Sequence, residues 1–87
     1  MRPSPRLTLY HYPSCPYCMR VFRVLDQLGL EIERKDIHQD RGALAELERA
    51  RGRRTVPVLR IEEPEGRTVW MPESLDIIAY LQKQHAA

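Results

Sequence analysis

The spacing of apolar residues near the start of the chain changes from that of a strand to that of a helix. Residues 7–12 combine aliphatic and tyrosine side chains and are bounded by prolines, a composition typical of a β-strand. Over residues 15–28, which follow this strand, apolar residues recur every three or four positions, as on one helix face: Cys18, Val21, Phe22, Leu25 and Leu28. Gly29, the next residue, suits the left-handed conformation that commonly ends a helix.

The middle of the chain predicts a second strand and a second helix. Residues 31–37 have the length of a strand, with apolar side chains at Ile32 and Ile37. Residues 42–50 have helical spacing, and their apolar members are expected to face the core: Leu44 and Leu47.

A hairpin is predicted next. Residues 55–61 are β-branched and apolar, so they predict a strand in spite of Pro57. The composition of residues 63–66 is that of a turn, and residues 67–71 predict the returning strand.

The last predicted element is a helix that opens at Pro72, because proline is favoured at the first helical position. Glu73 and Asp76 fall in its first turn, where the helix dipole favours acidic side chains. Its core-facing stripe is predicted to consist of three apolar residues: Leu75, Ile78 and Leu81.

These elements, in the order β-α-β-α-β-β-α, predict an α/β fold with a four-stranded mixed sheet flanked by three helices. The opening strand–helix–strand unit implies a parallel pair of strands with a right-handed crossover, and the hairpin is antiparallel. A chain of 87 residues forms one domain. We expect that domain to span residues 7–85, after a flexible tail at residues 1–6.

Charge and composition exclude several classes of partner. The formal net charge is +2, too small to favour a polyanionic partner. Four arginines cluster near the end of the second helix: Arg49, Arg51, Arg53 and Arg54. Because no aromatic residues interleave with them, a nucleic-acid partner is not expected. The cluster is either a solvated helix end or a rim that binds a carboxylate. No apolar run follows the N-terminal charges or approaches the ~20 residues that span a bilayer. We therefore expect a monomer in the cytoplasm, with no membrane partner.

Two cysteines carry the candidate chemistry. Cys15 and Cys18 bracket Pro16 and Tyr17, where the first strand ends and the first helix begins. The free amides of a helix N-terminus stabilise a thiolate, and the thiolate is the form that attacks a disulfide. Pro16 is well tolerated in a first helical turn. Cys18 lies one turn further in, within reach of a mixed disulfide at Cys15. The placement predicts a dithiol with one attacking and one resolving sulfur.

Other roles for the two cysteines are less well supported by the sequence. A structural disulfide would close a very short loop, and stabilisation by loop closure grows with loop length. Zinc would need about four ligands, whereas His11, His38 and His85 have no finger-like spacing. We expect no metal. Two merely buried cysteines would not need to bracket a helix start.

Two further segments are candidate binding sites. In the segment Thr55-Val56-Pro57, a proline within a strand belongs at an edge, a strand start or a functional irregularity. A cis Val56–Pro57 bond would free the Val56 backbone for an extended substrate, whereas a trans bond is the commoner form. The start of the last helix, at Glu73 and Ser74, can receive a carboxylate or can simply be a helix cap.

Taken together, Cys15-Pro16-Tyr17-Cys18 and Thr55-Val56-Pro57 resemble the dithiol motif and the cis-proline segment of glutaredoxins, over about residues 7–84. The resemblance implies a thioredoxin-like fold, attack by Cys15, resolution by Cys18, and glutathione as co-substrate with no bound cofactor. It also implies that the Val56 backbone pairs with the cysteinyl part of glutathione beside Tyr17. The expected partners are disulfide-bonded or glutathionylated proteins.

The chain departs from that pattern at two places. Glu73-Ser74 replaces a glycine-rich segment and is similar to the pair that holds the γ-glutamyl end in the N-terminal domain of glutathione transferases. Tyr12 stands where many glutaredoxins carry a basic residue, so Arg53 or Arg54 is a candidate partner for the glycyl carboxylate. Three alternatives remain: an iron–sulfur-binding module, a transferase-like domain, and reduction by a thioredoxin-type reductase.

Overall fold

The computed structural model describes residues 4–85 and contains seven elements along this part of the chain. They follow in the predicted order: β1 (Arg6–His11), α1 (Pro16–Leu28), β2 (Glu33–Asp36), α2 (Arg41–Arg51), β3 (Val58–Glu62), β4 (Thr68–Pro72) and α3 (Ser74–His85). The predicted α/β class and the number of strands and helices are confirmed. No helix among residues 4–85 is long and apolar enough to cross a membrane.

The four strands form one mixed sheet in the order β2-β1-β3-β4. The strands β1 and β2 are parallel, as the βαβ unit predicts, and both β1–β3 and β3–β4 are antiparallel. In the register of the sheet, Leu59 lies between Leu9 on one side and Met71 on the other. The two central strands, β1 and β3, therefore carry most of the buried side chains of the sheet.

The core has two parts, separated by the sheet. Alternate residues of a strand point to opposite faces. Leu9 and Leu59 belong to the larger cluster, with α1 and α3, whereas Tyr10 and Val58 belong to the smaller cluster, with α2. The larger cluster contains nine buried apolar side chains, which together fix α1 and α3 against the sheet: Leu7, Leu9, Val21, Val24, Leu25, Leu59, Ile61, Ile77 and Leu81.

The helix α2 is also held to the sheet by polar contacts. The side chain of Glu46 accepts hydrogen bonds from Lys35 Nζ at 2.9 Å and from the Tyr10 hydroxyl at 3.3 Å. Its other oxygen lies 3.3 Å from Arg60 Nη1. The Arg60 guanidinium also lies over the ring of Trp70, 5.2 Å from its centroid. One carboxylate thus connects α2 to β1, β2 and β3.

The predicted ends of several elements differ from the observed ones. The strand β1 begins at Arg6, inside the predicted tail, and Arg6 is paired with Glu62 of β3. Residues 1–3 of that tail lie outside the described residues. The strand β2 is shorter than predicted. The strand β3 begins at Val58, so the segment from Thr55 to Pro57 lies before the strand and not within it.

The start of the last helix and one of its three predicted core-facing residues, Leu75, were predicted wrongly. Pro72 is the last residue of β4, where it is opposite Val58, and α3 begins at Ser74. Leu75 is 69% exposed, and Ile77 is fully buried instead. The helix begins two residues later than predicted because Glu73 adopts a left-handed φ of 72°, which a helical residue does not have. Leu81 is buried as predicted, and Ile78 is partly buried against the larger core cluster.

Candidate functional site

Cys15 occupies the N-cap of α1, immediately after the turn that follows β1. Its backbone N–H donates to the Tyr12 carbonyl at 3.2 Å, and its sulfur accepts a hydrogen bond from the Cys18 amide at 3.4 Å. Pro16 is at the start of the helix, where it sacrifices no intrahelical hydrogen bond. The sulfur of Cys15 therefore receives an amide donor of the helix N-terminus, as the sequence predicts.

Cys18 lies one turn into α1 and is fully buried. Burial, together with the hydrogen bond to Cys15, raises the pKa of the Cys18 thiol to about 12. No disulfide joins Cys15 and Cys18. Because a thiol with so high a pKa is almost entirely protonated at neutral pH, Cys18 is unsuited to initial attack on a disulfide.

The segment before β3 lies against the sulfur of Cys15. The Val56–Pro57 peptide bond is cis. The Cys15 thiol donates to the Val56 carbonyl, with 3.8 Å between sulfur and oxygen. The fold thus brings together the two motifs that the sequence singled out, although 41 positions separate Cys15 from Val56.

A groove of about 460 Å³ passes along this segment. It collects residues from α1, from the loop after α2, and from the junction of β4 with α3. Tyr17 is 55% exposed within it. The groove is lined by the predicted binding residues Tyr17, Thr55, Val56, Pro57, Glu73 and Ser74, and also by Arg20, Arg51, Arg53, Pro72 and Leu75.

Glu73 and Ser74 line the groove where β4 meets α3. Glu73 has a φ of 72°, a conformation that costs a residue other than glycine roughly 1–3 kcal/mol and that is concentrated at binding and active sites. Ser74 is buried and begins α3, and the Glu73 carbonyl accepts the hydrogen bond from Ile77 N at 3.0 Å. The strained residue directs the chain from β4 into α3 with no intervening loop.

The arginines near the end of α2 do not all line the groove. Arg51 and Arg53 line the groove, whereas Arg54 Nε lies 3.3 Å from the Glu48 carboxylate and does not line it. Of the two arginines predicted for the glycyl carboxylate, only Arg53 is therefore placed at the groove. The sequence alone did not single out Arg20, which lies on α1 with Tyr17. Its position three residues after Tyr17, on the same helix face, was the available signal.

Tyr12 lies outside the groove lining. Its ring stacks on the imidazole of His38, with 4.5 Å between the centroids and an angle of 7° between the planes. Among residues 4–85, no three histidine, cysteine, aspartate or glutamate side chains form a group that could hold a metal ion. The charged groups that line the groove in the described chain are accordingly three guanidinium groups and one carboxylate, and the Cys15 sulfur lies against Val56 of that lining.

A sulfur that caps a helix next to a proline segment, on a sheet of order β2-β1-β3-β4, defines a protein with a thioredoxin-like fold. A family model described as the N-terminal domain of glutathione S-transferase matches residues 9–87, and the chain belongs to that family. A probable glutaredoxin from Synechocystis sp. is 33% identical over 64 residues, which are 72% of this chain and 73% of that protein. The predicted resemblance to glutaredoxins is confirmed.

Solved structures show the same fold. Glutaredoxin 2 from Salmonella typhimurium, in complex with glutathione, matches 95% of this chain and 35% of its own, with 26% identity and a TM-score of 0.72. Maleylacetoacetate isomerase from Anaeromyxobacter dehalogenans 2CP-1 matches 94% of this chain and 37% of its own, with 33% identity and a TM-score of 0.69. This chain spans little more than a third of the length of these two proteins. The relatives connect the chain with glutathione chemistry and with both glutaredoxins and transferase-like enzymes.

Proposed function

We propose that the protein is a glutathione-dependent thiol–disulfide oxidoreductase in which Cys15 is the nucleophile and Cys18 resolves. The observation that carries the proposal is the unequal environment of the two sulfurs. Cys15 receives an amide donor at the start of α1, whereas burial raises the pKa of Cys18 to about 12. Two thiols in such different environments have different roles: Cys15 attacks the substrate, and Cys18 attacks only once a mixed disulfide has formed at Cys15.

The groove supports glutathione as the co-substrate. Glutathione carries one ammonium group and two carboxylates. Where β4 meets α3, the Glu73 carboxylate suits the ammonium group, and the first amides of α3 beside Ser74 suit the neighbouring carboxylate. Arg53, which also lines the groove, suits the glycyl carboxylate. The backbone of Val56, whose carbonyl lies 3.8 Å from the Cys15 sulfur, would pair with the cysteinyl residue between them.

The reaction we propose is the reduction of a mixed disulfide between glutathione and a protein thiol. The Cys15 thiolate attacks the glutathionyl sulfur, so the protein–glutathione disulfide bond breaks and a Cys15–glutathione disulfide forms. The released protein thiolate takes a proton from water. A second glutathione then attacks this intermediate as a thiolate, which restores Cys15 and releases oxidised glutathione. With a protein disulfide as substrate, Cys18 displaces the product from Cys15, and two glutathione molecules reduce the resulting pair. The proposal places this reaction in the cytoplasm, where thiols are kept reduced.

The test is turnover of a glutathionylated peptide by two serine variants, with glutathione as electron source. We expect Cys15→Ser to abolish turnover, because the nucleophile is lost. Cys18→Ser should still reduce the glutathionylated peptide but should no longer reduce an intramolecular protein disulfide. A Cys15→Ser protein with the wild-type rate would contradict the proposal. Replacing glutathione by a thioredoxin-type reductase identifies the electron donor in the same assay.

A transferase-like activity is the second candidate, favoured by the match to the transferase N-terminal domain and by Glu73-Ser74. In that case the groove would bind glutathione and direct its own thiolate at an electrophilic carbon. Conjugation of glutathione to an aryl halide separates the two functions, since it does not require Cys15 as a nucleophile. Conjugation that survives in Cys15→Ser, without disulfide reduction by the wild type, would favour the transferase.

A further inference from the structure

The groove contains more positive charge than glutathione requires. Arg20, Arg51 and Arg53 line it, and Glu73 is the only carboxylate among the lining residues. Within residues 4–85, none of the three arginines lies within ion-pair distance of an acidic side chain, and the buried Nε of Arg51 has no hydrogen-bond partner. The proposed placement of glutathione uses Glu73, the amides of α3 and one arginine, Arg53. Two guanidinium groups remain.

Of these two, Arg51 has an ordinary structural role. It is the last residue of α2, and a cation in the last turn of a helix is stabilised by the helix dipole. Arg20 has no such explanation, because it lies in the first half of α1, where the dipole gives a cation no advantage.

Arg20 contacts the ring of Tyr17. The guanidinium carbon lies 5.6 Å from the centroid of the Tyr17 ring, within the range of a cation–π contact. Tyr17 follows Cys15 by two residues and stands exposed at the groove. The contact therefore holds a positive charge in the lining of the groove, on the helix that Cys15 caps.

We propose that Arg20 selects mixed disulfides in which the thiol that leaves glutathione carries a carboxylate, such as a protein cysteine with an acidic neighbour. This inference rests on the proposed function and names its substrate class. During attack by Cys15 on the glutathionyl sulfur, the other sulfur departs as a thiolate and takes a proton from water, while its carboxylate stays near the Arg20 guanidinium. Because Arg20 is exposed, the interaction is that of a screened surface pair and changes kcat/KM by about two- to five-fold.

The test uses three small mixed disulfides of glutathione of similar size, with 3-mercaptopropionate, 3-mercaptopropanol and cysteamine. Each kcat/KM is divided by the rate constant for uncatalysed exchange with glutathione, which removes differences in leaving-group reactivity. For the wild-type protein we expect the anionic substrate to exceed the neutral one by about two- to five-fold and the cationic substrate to fall below it. The preference should shrink in about 0.5 M salt, where the Debye length is only a few ångströms.

Three variants assign the preference to Arg20. Arg20→Gln should bring the ratio of anionic to neutral kcat/KM close to one, and Arg20→Lys should retain most of it. Arg23→Gln is the matched control, since Arg23 lies on the same helix, is exposed and does not line the groove; it should retain the wild-type ratio. An unchanged ratio in Arg20→Gln, or its loss in Arg51→Gln alone, would overturn the proposal and leave the oxidoreductase intact. If the wild type turned over none of the three substrates, the proposed function would fail and this inference with it.

Discussion

The carboxylate of Glu46 allows a quantitative test of how α2 is held against the sheet. It contacts Tyr10, Lys35 and Arg60, which belong to three different strands. Its side chain is 34% exposed, so each ion pair contributes the ~0.2–1 kcal/mol of a partly screened pair. The hydrogen bond from Tyr10 adds ~0.5–1.5 kcal/mol. Glutamine retains one acceptor oxygen but not the charge. We therefore expect Glu46→Gln to lower the free energy of unfolding by about 1–2 kcal/mol at pH 7.

The assay is urea and thermal unfolding followed by circular dichroism. For a domain of this size, 1 kcal/mol corresponds to ~4–8 °C in Tm, so we expect Glu46→Gln to melt about 5–15 °C below the wild type. Glu48→Gln is the matched control on the same helix. Its only ion pair, among the described residues, joins it to the largely exposed Arg54, and its loss should change stability by less than ~0.5 kcal/mol.

The pH dependence gives a second check on the same variant. The hydrogen bond from Lys35 lowers the pKa of the Glu46 carboxyl from its ordinary value. A depressed folded-state pKa contributes stability above the unfolded pKa of ~4.3, and this contribution is lost as the pH falls through the folded-state value. The difference between wild type and Glu46→Gln should therefore be constant near neutrality and should shrink below about pH 4. Equal stability of the two glutamine variants at pH 7, or an undiminished difference at pH 2, would refute the argument.

Three further predictions concern the core and the site. Ile77→Ala should cost ~2–5 kcal/mol in urea unfolding, whereas Leu75→Ala should stay within ~0.5 kcal/mol, and equal costs would restore the predicted stripe. At pH 8, iodoacetamide should label the native protein once, at Cys15, because a pKa of about 12 leaves Cys18 protonated; mass spectrometry showing rapid double labelling would contradict this. Glu73→Gly should have a free energy of unfolding within ~1 kcal/mol of the wild-type value, since glycine tolerates a φ of 72°. The same variant should bind glutathione more weakly in calorimetry, and an unchanged affinity would show that Glu73 does not belong to the site.

Much of the fold could be predicted from local patterns. The period of apolar residues in α1 and the glycine at its end are local properties, and α1 ends at Leu28 with Gly29 as its cap at a φ of 66°. Cys15 is likewise placed by its immediate neighbours, because a strand, a turn and a proline together define a helix start. The crossover rule then accounts for the parallel pairing of β1 with β2 across α1.

The remaining features depend on tertiary contacts that no local pattern contains. Ile78 and Leu81 lie toward the core as predicted, but Leu75 is exposed and Ile77 is buried in its place. Which of these two residues is buried depends on where α3 begins and how it is rotated against the sheet. That start is set by the left-handed φ of Glu73, which glutamate does not favour on its own. The groove position of Arg20 depends in the same way on how α1 is rotated against the sheet, which the packing of residues distant in sequence decides.

The sulfur that would attack a disulfide is also the atom that caps α1. Alkylating Cys15, or joining it to glutathione, alters the acceptor available to the Cys18 amide at the first turn of the helix. A stronger hydrogen bond from the Cys18 amide to the free Cys15 sulfur stabilises the reduced protein. By thermodynamic linkage, the oxidised form is then a stronger oxidant. The melting temperature of this small domain should therefore report its oxidation state.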